Sequence, residues 1–537
     1  MNTDGVVSLE PNPERVSETS APPAAPAPTT QPQRRGLASA QVCPGSRTCI
    51  VVGSLDDVEG LDLGVYPNVM WFSRDRAMPA RFRIDRRKLL IVPPGSVDLP
   101  RLSSALTQFI ELDAIRLPSI FLTDEIVGES APVYLNTIET IFAQCEMHHR
   151  GREFREQLGF IYQRNVLANL SAYVRHRVPR TWAGALKGVP AFICGAGPSL
   201  DASAAKLAEC APHGVVFAAD SAVRALSKRG ITVDFSVTVD SRKSPENCLP
   251  PGTRLPDRVI LANSAPPAWI EAMPPERVYF LSSCQLTEDE LEKFGFRQTA
   301  IETKENCGIT AFELAVHLGC QPIYLFGMDH AVDTKDPTRR HTLDLATNLQ
   351  EEHKKNLKET KNRNYAKVPG NYQDEIATAL FHEWSYLDKR CTFLPAGLVH
   401  NVIDRGARFR NTTIVHPDAF AVDPAWSGKA ARLAQLAVAE PIDERAWERL
   451  REVFTRLARK AEKTIADAQL ELGRGRKRRG FEILFDLFRD TQFHVLFGNY
   501  FLRIRPPLLH SAEVHSSLWP RLFDECRVLC ALAKNLR

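Results

Sequence analysis

Short segments of this 537-residue sequence bring together residue types suited to anion binding and proton transfer. The first is Ala191-Phe192-Ile193-Cys194-Gly195-Ala196-Gly197-Pro198-Ser199-Leu200-Asp201, an apolar strand running into a glycine turn and then a helix that begins near Ser199. Glycine lets the backbone approach a ligand closely, and the N–H groups and dipole of a helix N-terminus favour an anion. Gly195, Ala196, Gly197, Pro198 and Ser199 are therefore expected to hold a phosphate, with the Ser199 hydroxyl as an added donor. The same turn could also be a plain strand-to-helix connection capped by Ser199 or Asp201. Leu200 stands where a dinucleotide fingerprint has its third glycine, which disfavours NAD or FAD and fits a mononucleotide better.

Two more apolar runs, Val215 to Ala218 and Phe235 to Val239, end in Ala219-Asp220-Ser221 and Asp240-Ser241-Arg242. In a doubly wound sheet such endings face the ligand crevice, so Asp220, Ser221 and Asp240 are candidates for a base or ribose contact, with helix capping as their alternative use. Further on, Asn306-Cys307-Gly308-Ile309-Thr310 opens a helix, and the strand Ile323 to Phe326 delivers Gly327-Met328-Asp329-His330 to the same edge. Gly308 and Thr310 join the binding candidates. Asp329, His330 and His341 are candidates for proton transfer, because histidine suits a general base near neutral pH and transfer to a hydroxyl needs one. His353, His382 and His400 meet the same criterion, so residue type alone does not choose the base. In an extended segment Asp329 and His330 would point opposite ways, leaving one of them structural. No metal site is expected.

These segments need a frame to hold them. From Pro190 onward, strands at Ala191 to Cys194, Val215 to Ala218, Phe235 to Val239, Val259 to Ala262, Val278 to Leu281 and Ile323 to Phe326 alternate with helical stretches. That alternation implies a parallel sheet with crossover helices. The expected fold class is α/β, with a Rossmann-like central catalytic domain over residues 186–420. A smaller N-terminal α/β domain is expected over 47–130, connecting helices over 131–185, and a helical C-terminal domain over 421–537. Residues 1–46, rich in Pro, Ala, Thr, Ser and Gln, read as a disordered tail. The polar stretch Ala331 to Gly370 reads either as a mobile cover over the substrate or as a surface excursion.

Bulk properties exclude several classes. The length favours several domains, and 25% charged with 44% hydrophobic residues is ordinary for globular proteins. A net charge of +4 calls for no nucleic-acid partner, and the basic run Arg474, Arg476, Lys477, Arg478 and Arg479 reads as a solvated loop. Twelve cysteines without a CxxC pair indicate neither a zinc cage nor a disulfide framework. No signal-like start and no apolar run near the roughly 18 residues of a membrane span are present, so a cytoplasmic protein is expected.

In order along the chain, CGAGPSLD (194–201), AADSAVRALSKRGITVDFSVTVDSR (218–242), CGITAFELAVHLGCQPIYLFGMDHAVD (307–333), VPGNYQDEIATALFHEWSYLD (368–388) and HNVIDRGARF (400–409) resemble the motility accessory factor (Maf) and MptE-like family. The resemblance covers roughly residues 160 to 415, and the segment 48–123 is similar in style to the domain that precedes it in Maf proteins. Maf proteins are flagellin glycosyltransferases, similar to sialyltransferases, that move a nonulosonic acid such as pseudaminic or legionaminic acid from a CMP-activated donor to Ser or Thr hydroxyls. MptE-like enzymes transfer pyrophosphate from ATP to 6-hydroxymethyl-dihydropterin with Mg²⁺ and need neither extra domain. The resemblance therefore implies a CMP-sugar donor, a protein acceptor such as flagellin, no tightly bound cofactor and a role in bacterial motility, with Mg-ATP chemistry or a non-catalytic assembly protein as alternatives. It places the donor phosphate at Gly195 to Ser199, the nucleoside near Ser221 and Asp240, and the sugar along Gly308 to Asp329. Met328-Asp329-His330-Ala331 departs from the family's GQDLA-like wording, which leaves donor sugar and acceptor open.

Overall fold

The computed structural model describes residues 36–43, 46, 48–75, 77–82, 89–92, 118–127, 131–283, 285–297, 299–304, 306–333, 339, 341–345, 366–498, 500 and 518–536, and the structural statements below concern these. Most of the expected tail and His353 lie outside them. The chain divides into two units, residues 1–97 with 116–135, and 98–115 with 136–537.

The first unit is built on a five-stranded sheet in the order β1-β5-β2-β3-β4, from Leu37–Gln41 (β1), Thr48–Val52 (β2), Asn68–Phe72 (β3), Leu89–Val92 (β4) and Ser119–Thr123 (β5). Its inner strands are parallel, and β1 joins β5 antiparallel at the edge. Residues 37–41, expected to belong to the disordered tail, are thus ordered by backbone pairing rather than by apolar side chains, which composition cannot reveal. Cys49, Val51, Val69, Trp71 and Phe121 form the unit's core.

The second unit centres on an eight-stranded, wholly parallel sheet: Ala191–Cys194 (β6), Val215–Ala219 (β7), Phe235–Thr238 (β8), Arg258–Ala262 (β9), Val278–Leu281 (β10), Ile323–Phe326 (β11), Val399–Val402 (β14) and Thr413–Val415 (β15). A short antiparallel pair, Ala366–Pro369 (β12) and Glu375–Thr378 (β13), stands apart from it. The expected strands fall within a residue of those observed. β14 and β15 were not expected, because Val399-His400-Asn401-Val402 interrupts its apolar residues with polar ones.

We number the helices longer than eight residues: Ala131–Arg175 (α1), Leu200–Cys210 (α2), Gln285–Lys293 (α3), Cys307–His317 (α4), Phe381–Cys391 (α5), Glu444–Gly473 (α6), Lys477–Arg489 (α7) and Leu518–Lys534 (α8). The connecting helices expected before the sheet are one 45-residue helix, α1. Its one proline, Pro132, falls in the first turn, where no intrahelical hydrogen bond is lost, and Gly151 and Gly159 weaken a helix without removing a hydrogen bond.

Alternating residues of β6 and β7 face opposite cores. Phe192, Val216 and Leu207 of α2 share one, and Ile193, Phe217 and Phe312 of α4 share the other. The helices α6 to α8 do not form a separate core: Leu450, Leu484 and Leu529 pack with Leu170 of α1 and Phe280 of β10. No helix among the described residues is long and apolar enough to cross a membrane.

Candidate functional site

β6 is the strand from which the sheet grows in both directions. β7 to β10 follow on one side, while β11, β14 and β15 lie on the other. The crevice outside the carboxyl ends of β6 and β11 is therefore the topological switch point, where open α/β sheets place ligands. A cleft of about 220 Å³ opens there, lined by the turns after both strands and by Ala219, Ser221, Lys243, Asn306 and His341 among others.

The two turns are packed against each other. Gly195 N–H donates to Phe326 O at 2.8 Å, and Gly197 N–H to Gly327 O at 2.9 Å. A Cβ on Gly195 would lie 2.4 Å from Gly327 O, and one on Gly197 2.0 Å from Asp329 Oδ2. The glycines are thus required by the protein's own contacts before any ligand arrives. Gly308 does the same for Met328, whose Sδ would lie 2.7 Å from an added Cβ.

Ser199 departs from its expected role. It is fully buried, its N–H donates to Asp329 Oδ1 at 3.2 Å and its hydroxyl to Oδ2 at 2.8 Å, and its side chain does not cap α2. The Asp329 carboxyl thus occupies the place at the α2 N-terminus where the sequence suggested a phosphate. Pro198 has no N–H, so the loop amides at 195, 197 and 199 are all committed within the protein. Asp201, the other capping candidate, accepts instead from Arg229, Arg339, Thr342 Oγ1 and Leu343 N–H. With Thr342 N–H donating to Ala196 O at 2.8 Å, these bonds fasten Arg339, Thr342 and Leu343, part of the polar stretch read either as a mobile cover or as a surface excursion, across the glycine turn.

Both Asp329 and His330 reach the cleft, contrary to the extended geometry anticipated, because His330 adopts φ +44° and the chain turns there. Burial pushes the Asp329 carboxyl up to about 7 in spite of the Ser199 hydrogen bonds. Burial pushes the His330 imidazole down to about 4. His330 Nδ1 lies 3.2 Å from Met328 O, so the neutral ring carries its proton on Nδ1 and leaves Nε2 as the acceptor. His341 also lines the cleft, whereas the half-buried His400 stacks on Tyr324 away from it.

The remaining candidates separate. Ser221 lines the cleft, while Asp220 lies fully buried beneath it. Asp240 turns back to accept from Arg242 N–H and is not in the lining. Thr310 is buried, its hydroxyl donating to Asn306 O and accepting from Lys304 N–H, and is a structural residue. Sequence reading missed Lys243, which bonds Asp220 Oδ1 at 3.2 Å and Ser221 Oγ at 3.3 Å. A lysine in an Asp-Ser-Arg-Lys-Ser run looks solvated, and its proximity to Asp220 becomes visible only once β7 and β8 are paired.

Two asparagines of α1 were also missed. Asn165 Nδ2 donates to Ser241 O and Ser264 O, and Asn169 Nδ2 to Asn263 O and Ala265 O, at 2.7–3.0 Å, with both side chains fully buried. One helical turn apart, they fasten α1 to the loops that leave β8 and β9. Asn169→Ala should lower stability by about 1–3 kcal/mol, because buried carbonyls lose their donor. An unaltered denaturation midpoint would refute this clamp.

Fold and site together define a doubly wound α/β protein whose crevice is built from two interlocked glycine turns. Residues 164–335 match the family described as 6-hydroxymethylpterin diphosphokinase MptE-like, so the resemblance expected for the central domain holds. The chain is also similar in fold to the MAf glycosyltransferase from Magnetospirillum magneticum AMB-1, with a TM-score of 0.50 and 16% identity, over 91% of this chain and 78% of that one. No curated protein matches the chain in sequence.

Proposed function

We propose that the protein is a glycosyltransferase, moving a sugar from a nucleotide-activated donor in the switch-point cleft to a hydroxyl of a protein acceptor. The observation that supports this is the extent of the fold likeness. It takes in 91% of the chain, far more than residues 164–335, and so favours a protein of the glycosyltransferase's architecture over a free-standing diphosphokinase domain. The finer reading is transfer of a nonulosonic acid from CMP to Ser or Thr of flagellin or another protein, in the cytoplasm and without a tightly bound cofactor.

The chain's own groups suit that chemistry. His330, kept neutral through the physiological range with Nε2 as acceptor, can take the acceptor hydroxyl's proton as attack proceeds, and His341 lines the same cleft. Asp329 lies behind Ser199 and is a positioning residue.

The family match favours a second reading, Mg²⁺-dependent transfer from ATP. Its metal would need oxygen ligands at the cleft, but Asp329 is turned to Ser199 and Asp220 to Lys243, which leaves Glu383 as the other carboxylate among the described lining residues. Among the described residues no three His, Cys, Asp or Glu side chains are grouped to hold an ion. Calorimetric titration with CMP, CDP, ATP and ADP, with and without Mg²⁺, tests the choice. Micromolar CMP binding independent of Mg²⁺ is the expected result, while Mg²⁺-dependent ATP binding without CMP binding would overturn it.

A further inference from the structure

We infer that Lys243 holds the phosphate of the nucleotide donor, in place of the glycine loop and helix N-terminus that serve this purpose in related sheet architectures. The inference rests on the nucleotide-donor reading above and deepens it.

Asp329 fills the α2 N-terminus, and Gly195, Gly197 and Ser199 give their N–H groups to Phe326, Gly327 and Asp329. A phosphate entering there would meet a carboxyl group and find those donors engaged. Among the described residues lining the cleft, Lys243 is the only lysine or arginine, so it is the one permanent positive charge available to an anion.

Its position is built rather than incidental. The Trp269 indole N–H donates to Lys243 O at 2.7 Å, which fixes the backbone. Asp220 is fully buried, accepts Ser221 N–H at 2.6 Å and pairs with the Lys243 ammonium, whose side chain is 27% exposed. Burial works against the ammonium's charge, but the Asp220 carboxylate reverses this and holds the group protonated well above the usual lysine range. An ammonium has three N–H donors. Two go to Asp220 Oδ1 and Ser221 Oγ, leaving one for the cleft.

Asp220 ends the second strand of the sheet, about where a dinucleotide-binding domain offers a carboxylate to ribose hydroxyls. Here Lys243 is bonded to that carboxylate, and Ser221 and Lys243 rather than Asp220 line the cleft. The group met by a ligand at this point is a donor of positive charge and suits an oxyanion. Asp220 Oδ2 has no hydrogen-bond partner among the described residues, so the carboxylate depends on Lys243 for compensation.

The test compares CMP with cytidine, which differ by the phosphate alone. Removing Lys243 singly would strand a buried carboxylate, so the informative protein is the Asp220→Asn/Lys243→Met double variant, in which the pair is neutralised together. Its affinity for CMP should fall at least about tenfold while that for cytidine is unchanged. Asp220→Asn alone frees the ammonium from its carboxylate and should bind CMP more tightly than wild type. Equal losses for CMP and cytidine, or no loss for either, would overturn the assignment. If the wild-type protein binds ATP and not CMP, the donor reading fails, and the same contrast with ATP and adenosine decides the role of Lys243. Binding of neither nucleotide would end both.

Discussion

Asp329→Asn and His330→Asn should tilt the protein's stability in opposite directions across mildly acidic pH, where these two groups leave the wild type level. In an unfolded chain the carboxyl titrates near 3.9 and the imidazole near 6.5. In the folded protein the carboxyl is pushed up to about 7 and the imidazole down to about 4. Between about pH 4 and 6.5 each state of the pair therefore binds one proton, on His330 when unfolded and on Asp329 when folded. Folding moves the proton from one residue to its neighbour without taking up or releasing any.

Each substitution uncovers the other residue's titration. In the Asp329→Asn variant only the depressed imidazole remains. Its contribution is fully present above the unfolded pKa and is lost as pH falls towards 4, by about 3 kcal/mol relative to wild type. In the His330→Asn variant, chosen because asparagine tolerates positive φ, only the raised carboxyl remains. Its contribution is fully present below pH 4 and is lost as pH rises through 7, by about 4 kcal/mol. Urea denaturation of wild type and both variants at half-unit steps from pH 4 to 8 checks this. Curves that run parallel to wild type would show that neither group is shifted.

The second large effect is steric. Gly197→Ala should destabilise the protein by about 3 kcal/mol or more, because its Cβ would sit 2.0 Å from Asp329 Oδ2 and 2.6 Å from Gly327 O. One obstacle is backbone and the other a carboxyl held from two directions by Ser199, so neither yields cheaply. Gly308→Ala meets chiefly the flexible Met328 thioether and should cost less. Gly473→Ala, with nothing within 4 Å at the end of α6, should be neutral or slightly stabilising. Thermal unfolding of the three variants gives the order, and a Gly197→Ala protein as stable as Gly473→Ala would contradict the interlocked turns.

The frame was legible in the sequence because strands buried on both faces read as unbroken apolar runs, as in Ala191 to Cys194 and Val215 to Ala218. β1 and β15 are exposed or half-buried and show no apolar run, and His400 and Asn401 break the run of the buried β14, which is why these strands were absent from the reading. At the site, sequence singled out the turns after β6 and β11 and assigned their glycines and Ser199 to a ligand, while the structure shows these groups engaged within the protein. The partners that use them, Gly327 and Asp329, lie about 130 residues away in sequence and come adjacent only through the β6–β11 pairing. Lys243 and the asparagines of α1 escaped for the same reason. A polar side chain shows its purpose only when the carbonyl or carboxylate it satisfies is known.

The clamp of Asn165 and Asn169 bears on how this protein can be taken apart. Pro190, where the strand pattern begins, looks like the natural place to cut. A fragment starting there would lack the donors for Ser241, Asn263, Ser264 and Ala265, and its β10 edge would lose the cover of α1. The family match itself begins at Arg164, one residue before the first asparagine. A piece that keeps this clamp is therefore the sheet together with about the last quarter of the helix that precedes it, and a graft or deletion that respects only the strands would separate a lock from its bolt.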